Sequence, residues 1–193
     1  MELRSKFYKY TGKRIFDVFS SVIILLVLLP IIIIIAILIK FDSEGPIFFF
    51  QERVGYKNKL FIIWKFRTMI VDSSKYSLSP DSTDDPRITK MGRHLRKTGL
   101  DEIPQLFNVL MGKMSLVGPR PEMPFLVNEY SDRERCRHLV RPGITGPWQI
   151  SEYRKKSIQE GIELDLAYIK NMSFSGDIVF LVKTAKTFLG KNT

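Results

Sequence analysis

The chain has 193 residues, with 30 Lys or Arg against 20 Asp or Glu, a formal net charge of +10 and a pI near 9.7. That length suits one compact domain with an appendage, and the charge favours anionic partners: nucleic acid, an anionic membrane or phosphorylated substrates. A single cysteine, Cys136, excludes an internal disulfide and a Cys-cluster zinc site, and no helix-turn-helix, zinc-finger or RNA-binding aromatic signature is present, so nucleic acid is not expected as a partner.

From Ile15 to Ile39 the chain is almost wholly apolar, interrupted by Asp17, Ser20, Ser21 and Pro30. As one straight helix of ~25 residues it would reach about 37 Å, enough to cross a ~30 Å hydrocarbon core. Two features argue against a span. Pro30 removes a backbone hydrogen bond in mid-segment and kinks a helix. Both flanks are basic, with Arg4, Lys6, Lys9, Lys13 and Arg14 before and Lys40, Lys57, Lys59 and Lys65 after. Lys and Arg favour the cytoplasmic side, and a kinked helix that enters and returns keeps both flanks there. Residues 1–40 are therefore expected to form a re-entrant helix-break-helix membrane anchor, and residues 41–193 a separate domain outside the membrane. Asp17 stands one turn after Lys13 and Arg14, so an ion pair at the membrane interface is expected to lower its cost. No Ala-x-Ala cleavage site follows, which argues against a signal peptide.

Beyond the anchor, Ile47–Gln51 and Leu60–Phe66 read as short strands joined by a turn over 54–59. Residues 72–86 are rich in Ser, Asp and Pro without periodicity and read as a loop, with a lid as the alternative. Ile88–Lys97 and Glu102–Met111 read as helices, with Gly99 and Gly112 as punctuation. Ser131–Leu139 reads as a short solvated helix carrying Cys136, a passive thiol. Ile158–Lys170 and Asp177–Leu189 show helical apolar spacing. For the last helix, a place on the membrane surface is the alternative to core packing. His94 and His138 lack metal-ligand spacing and read as surface or structural. The fold class expected is α+β, mainly helical, with short strands.

Asp101 and Glu102 stand at a predicted helix start, followed by Pro104 in the first turn. Adjacent carboxylates inside a helix point apart, but at a helix start both can turn toward one site and meet the positive end of the dipole. Alone, the pair reads equally as dipole complements or caps. Around it lie three further segments: Lys65-Phe-Arg-Thr-Met69, Ser115-Leu-Val-Gly-Pro-Arg-Pro121 and Arg141-Pro-Gly-Ile-Thr-Gly146. Gly admits close approach of backbone N–H groups to an anion, Pro stiffens a loop, and Arg offers a planar fork for phosphate oxygens. Lys65, Arg67, Arg96, Arg120 and Arg141 are thus candidates for binding a diphosphate. Solvated arginines on rigid turns are the competing reading.

Taken together, these segments resemble the bacterial sugar transferase family, the small monotopic phosphoglycosyl transferases, from Lys13-Arg-Ile-Phe-Asp17 through Gly146 and more loosely to the C-terminus. The resemblance implies transfer of a sugar 1-phosphate from a nucleotide diphosphate sugar, expected to be a UDP-sugar, to a polyprenyl phosphate, expected to be undecaprenyl phosphate, with Mg²⁺. It also implies a re-entrant anchor in the bacterial cytoplasmic membrane with the catalytic domain facing the cytoplasm, and a first membrane step in making a surface glycoconjugate. Asp101 becomes the covalent nucleophile and a supplier of oxygen to Mg²⁺, Glu102 its partner, and Arg96 a phosphate-binding arginine. The chain departs from the family at Leu29-Pro30, where many members have Ser-Pro, and at Pro147-Trp148-Gln149, where many have Trp-Ala-Gln. The competing readings are direct attack by the lipid phosphate with Asp101 only a metal ligand, and a basic membrane-surface anchor or adaptor without catalysis.

Overall fold

The computed structural model describes residues 8–71 and 85–189. The chain opens with a π-helical turn, Tyr8–Gly12, that feeds directly into α1, Lys13–Asp42, which is 30 residues long. If straight, α1 would measure ~45 Å. It runs through Pro30 without a gap in its helical assignment.

One stripe of α1 faces the rest of the protein. Lys13, Asp17, Ser21, Ile35 and Ile39 are buried, and Ile24, Leu25 and Ile32 pack partly against the core. The other side is bare and apolar, with Phe19, Leu26, Val27, Leu29, Ile33 and Ile34 all exposed. Polar contacts pin the N-terminal end. Arg14 donates to the carbonyls of Val109 and Leu110, at 2.5 and 3.0 Å. Lys13 Nζ lies 2.6 Å from Asp177 Oδ2. Asp17 was expected to pair with Lys13 at a membrane interface. The ion pair is present at 3.8 Å, but Asp17 is 2 % exposed inside the protein, where it also accepts the Leu116 N–H at 3.1 Å. The C-terminal end is pinned as well. Ile35 and Ile39 pack with Phe66 and Leu95, and Asp42 accepts the Met91 N–H at 2.9 Å.

Strands β1 (Phe48–Val54) and β2 (Leu60–Phe66) form an antiparallel hairpin, with Phe48 opposite Phe66 and Val54 opposite Leu60. The first strand outruns its predicted end at Gln51. Gln51 and Arg53 share its inward face, a polar pattern that does not read as core. The hairpin turn holds Lys57 and Asn58 at φ 56° and 58°.

Helix α2 (Lys90–Thr98) is capped by the Thr89 hydroxyl, which accepts from the Gly92 N–H at 2.9 Å, and it stops at Gly99, φ 71°. A 3₁₀ turn, Leu100–Glu102, follows, and α3 (Gln105–Leu110) begins only after Pro104. Asp101 and Glu102 therefore sit in the turn before the helix, not in its first turn as predicted. Strand β3 (Ser115–Val117) pairs in parallel with β4 (Gly143–Thr145), a pairing too short to leave a periodic signal.

Between β3 and β4 lie α4 (Pro124–Asn128) and α5 (Asp132–Arg135), the latter opened by a Ser131–Glu134 capping box. The 3₁₀ turn Cys136–Leu139 leaves Cys136 exposed but, contrary to the solvated helix expected here, buries Arg137 and His138. Arg137 bonds Asp165 at 2.8 Å and the Tyr130 hydroxyl at 3.2 Å, and His138 Nδ1 lies 2.5 Å from Asn58 Oδ1. Helices α6 (Ile162–Lys170) and α7 (Phe174–Leu189) complete the chain. The main core joins β2, α3, β3 and α6 through Phe61, Ile63, Leu106, Val109, Leu116 and Tyr168. The architecture is mainly helical with two small sheets. The expected loop over 72–86 falls largely outside the described residues.

Candidate active site

Gly99 turns the chain back at the end of α2, so the 3₁₀ turn carries Asp101 and Glu102 to the floor of a cavity of about 730 Å³. Asp101 is buried, at 9 % exposure. From β2, Lys65 Nζ reaches Glu102 Oε1 at 2.7 Å, and Arg120 Nη1 stands 3.8 Å from the same oxygen. Arg96, in the last turn of α2, is oriented by the Thr68 hydroxyl, which accepts from its Nε at 2.9 Å, and its charge acts on Asp101. Lys65, Arg96, Asp101, Glu102 and Arg120 all line this one cavity.

The two carboxyls are tuned apart. Burial raises the pKa of Asp101 and the neighbouring Glu102 charge adds to it, with Lys65 and Arg96 pulling the other way. For Glu102 burial also opposes ionisation, but Lys65 and then Arg120 outweigh it and hold the carboxylate below its ordinary range. The arrangement separates a carboxylate held by cations from one that lacks full compensation, a pattern met where carboxyl groups take distinct chemical roles.

Of the other two predicted cations, Arg67 lines the cavity and Arg141 does not. Arg67 is buried on the cavity wall, but its Nη1 donates to the Glu44 carbonyl and its Nη2 to the Ser43 carbonyl, both at 2.7 Å, so it caps the end of α1. Arg141 is exposed. Its Nε donates to the Gly112 carbonyl at 2.9 Å, its guanidinium lies 5.7 Å from the Tyr56 ring, and it does not line the cavity. What its loop supplies is packing. The Gly118 N–H donates to Thr145 at 2.9 Å, and a Cβ added to Gly146 would stand 2.0 Å from the Gly118 oxygen. The glycines let β4 press against the Gly118-Pro119-Arg120 loop and so place Arg120.

Sequence reasoning missed Arg53, Gln105 and Arg154, which also line the site. Nothing in their local spacing marks them. The cavity further takes in Ile24 and Leu28 of α1 and Leu181 of α7, so apolar side chains of both helices line it together with the charged groups. Among the described residues no group of three or more His, Cys, Asp or Glu is gathered to hold a metal ion. Asp101 and Glu102 are the carboxylates at hand.

A family model described as bacterial sugar transferase matches residues 8–191. The chain belongs to the bacterial sugar transferase family. It is 42 % identical over 186 residues to an undecaprenyl-phosphate glucose phosphotransferase of Komagataeibacter xylinus, covering 90 % of this chain and 35 % of that protein. It is 41 % identical over 184 residues to a UDP-N-acetylgalactosamine-undecaprenyl-phosphate N-acetylgalactosaminephosphotransferase of Aeromonas hydrophila, covering 92 % and 43 %. To an undecaprenyl-phosphate galactose phosphotransferase of Salmonella typhimurium it is 39 % identical over 195 residues, covering 93 % and 41 %. This family member thus spans less than half the length of these three relatives.

Proposed function

We propose that the protein transfers a sugar 1-phosphate from a UDP-sugar to undecaprenyl phosphate through a covalent intermediate on Asp101, as a phosphoglycosyl transferase. One observation carries the reading: the under-compensated Asp101 carboxylate lies among Lys65, Arg96 and Arg120 at the floor of a cavity whose wall continues into apolar α1 and α7. Such a cavity suits a diphosphate at one end and an isoprenoid chain at the other. The relatives' names supply the substrate classes, three different sugars among them.

In the first half-reaction an Asp101 oxygen attacks the sugar-bearing phosphorus, and the bond to the nucleoside monophosphate breaks. In the second an oxygen of the lipid phosphate attacks the same phosphorus, and the bond to Asp101 breaks, restoring the carboxylate. Arg96 and Arg120 bind phosphate oxygens and offset the repulsion between the incoming anions and the carboxylates. Lys65 holds Glu102 in place. The donor set fits Mg²⁺, which uses one or two carboxylates together with substrate phosphates and water, and Asp101 would hold it with Glu102 adjacent. When bound, the ion would neutralise charge developing on the phosphate oxygens.

Both ends of α1 dock on one domain, and its outer face is apolar. This supports a re-entrant anchor in the bacterial cytoplasmic membrane with the catalytic domain on the cytoplasmic side. The outward face of α7, with Phe174, Ile178, Val179 and Val182 exposed, continues that surface, and Phe174 meets Phe16 edge-on at 5.2 Å. The test is release of uridine monophosphate from a panel of UDP-sugars without lipid acceptor, with mass spectrometry of the intact protein. Stoichiometric release with a sugar-phosphate adduct on Asp101 is expected. Release only when lipid is present would replace the covalent route by direct attack, and full turnover in folded Asp101→Asn would sink the assignment.

A further inference from the structure

Arg53 stands next to the end of β1 and faces inward, 9 % exposed. Gln51, two residues earlier on the same face, accepts from its Nη2 at 2.7 Å and fixes the guanidinium plane. Its Nε is buried without a hydrogen-bond partner. The side chain lines the main cavity and also a void of about 10 Å³ behind Glu102, shared with Lys65, Gln105 and Arg120. Burial first, and then the neighbouring Arg120, push its pKa down to about 10, with Glu122 and Glu102 opposing. A buried guanidinium with an unpaired N–H beside a second guanidinium is costly unless something anionic joins them. Among the described residues neither Glu122 nor Glu102 is hydrogen-bonded to Arg53, and Glu102 Oε1 is taken by Lys65 at 2.7 Å with Arg120 at 3.8 Å. A void of this size has room for about one water, which can satisfy an N–H but not offset a charge.

We propose that Arg53 and Arg120 form an anion subsite for a substrate phosphoryl group on the Glu102 side of the cavity, separate from Arg96 beside Asp101. The inference rests on the function proposed above for its kinetic arms, and on geometry alone for its binding arm. Two substrates bring such a group: the nucleotide, through the phosphate that leaves with it, and the lipid, through its attacking phosphate. In an in-line displacement the group leaving in the first half-reaction and the group attacking in the second both stand opposite the Asp101 oxygen. One subsite can therefore serve both. Arg suits it because its fork engages two oxygens at once, which the single ammonium of Lys does not.

The experiment uses the full chain in detergent micelles, with Arg53→Gln, Arg53→Lys and, as a surface control, Arg133→Gln. Thermal stabilisation by uridine monophosphate and by inorganic phosphate reads binding. Uridine monophosphate release without lipid, and KM for undecaprenyl phosphate, read the two half-reactions. Arg53→Gln is expected to weaken the nucleotide arm, the lipid arm or both by about ten- to a hundredfold, with Arg53→Lys recovering only part. Loss in the nucleotide arm alone assigns the subsite to the donor, in the lipid arm alone to the acceptor, and in both to a shared position. If Arg53→Gln fails to fold, Arg53→Lys carries the same comparison. A folded variant unchanged in stabilisation, release and lipid KM overturns the subsite. If the wild type releases nothing from any UDP-sugar, yet uridine monophosphate stabilises it and not Arg53→Gln, the subsite stands and the proposed function falls.

Discussion

Replacing Asp101 by Asn is expected to abolish activity and yet raise stability at neutral pH. The Asp101 carboxyl is raised from 3.8 to about 6, chiefly by burial. A carboxyl whose folded pKa is raised contributes stability that is full below its unfolded value and is lost as pH rises through the folded one. The gap of about two units sets a ceiling of roughly 3 kcal/mol, reached only well above pH 6. Asn must still bury an amide, so the expected gain is about 1–2 kcal/mol at pH 7.5. For a chain of this size that is ~2–8 °C in Tm. Tryptophan fluorescence from Trp64 and Trp148 can follow unfolding of both proteins in micelles at pH 7.5, 6.0 and 4.0. The gap should be widest at pH 7.5 and close toward pH 4.0, where the wild-type carboxyl is protonated. Glu102→Gln should show the opposite sign. That carboxylate is held low by Lys65 and Arg120, so its contribution is present above its unfolded value and lost on acidification. A gap for Asp101→Asn that does not change with pH, or a less stable variant at pH 7.5, would refute the strained-carboxylate reasoning.

Other outcomes follow from the same geometry. Arg96→Lys and Arg120→Lys should each lower kcat/KM about ten- to a hundredfold, the worth of a charge-assisted hydrogen bond at roughly 1.5–3 kcal/mol, whereas Arg141→Lys, outside the cavity, should change it less than threefold. Gly146→Ala should remove activity through displacement of the Arg120 loop, visible as a raised KM for nucleotide sugar in whatever fraction folds, because its Cβ would meet the Gly118 oxygen at 2.0 Å. Arg137→Met should destabilise by about 3–5 kcal/mol by stranding the Asp165 carboxylate, and adding Asp165→Leu should restore most of the Tm. Tags fused at both termini should be accessible only from the cytoplasm; an N-terminal tag reached from outside intact cells would end the re-entrant reading.

The parts of the site legible in the sequence are those where chemistry concentrates in a short stretch. Asp101-Glu102, Lys65 and the Gly118-Pro-Arg120 loop combine charge with turn-forming residues, and the structure gathers them. Arg141 belonged to an equally suggestive stretch, but Arg-Pro-Gly specifies a turn without saying which way its side chain leaves it. There the glycines pack against the Arg120 loop, and the arginine stands outside the cavity. Arg67 lines the cavity as well, but its Nη donors go to the carbonyls that follow α1, which need donors as much as a phosphate does. Arg53 was silent because the strand reads as ending at Gln51, which leaves Arg53 in the connection to the turn. Only the fold of β1 onto β2, with Gln51 and Arg53 inward, reverses that. The parallel pairing of β3 with β4 joins three-residue segments far apart in sequence, below the length at which periodicity can speak.

The polar residues of α1 are arranged as a linkage to the site. Asp17 holds the Leu116 N–H, and Tyr168 donates to the Val117 carbonyl at 3.0 Å while its hydroxyl also meets Asp177 Oδ1 at 2.8 Å. Asp177 in turn takes Lys13 and the Tyr8 hydroxyl, each at 2.6 Å. Strand β3 is thus held at Leu116 by Asp17 of α1 and at Val117 by Tyr168 of α6, three residues before Arg120. Buried polar networks of this kind are tolerable only when their members are satisfied, and then they fix one geometry. The far end of α1 is tied to the other wall of the cavity through Arg67 and Asp42, on either side of Thr68 and Arg96. Hydrogen bonds thus join α1 and its C-terminal end to the segments that carry Arg120 and Arg96. On the proposed reading, the helix that settles in lipid is bonded to the segments that carry the phosphate-binding side chains, which lets a small enzyme present a soluble nucleotide and a membrane-bound phosphate to the same carboxylate.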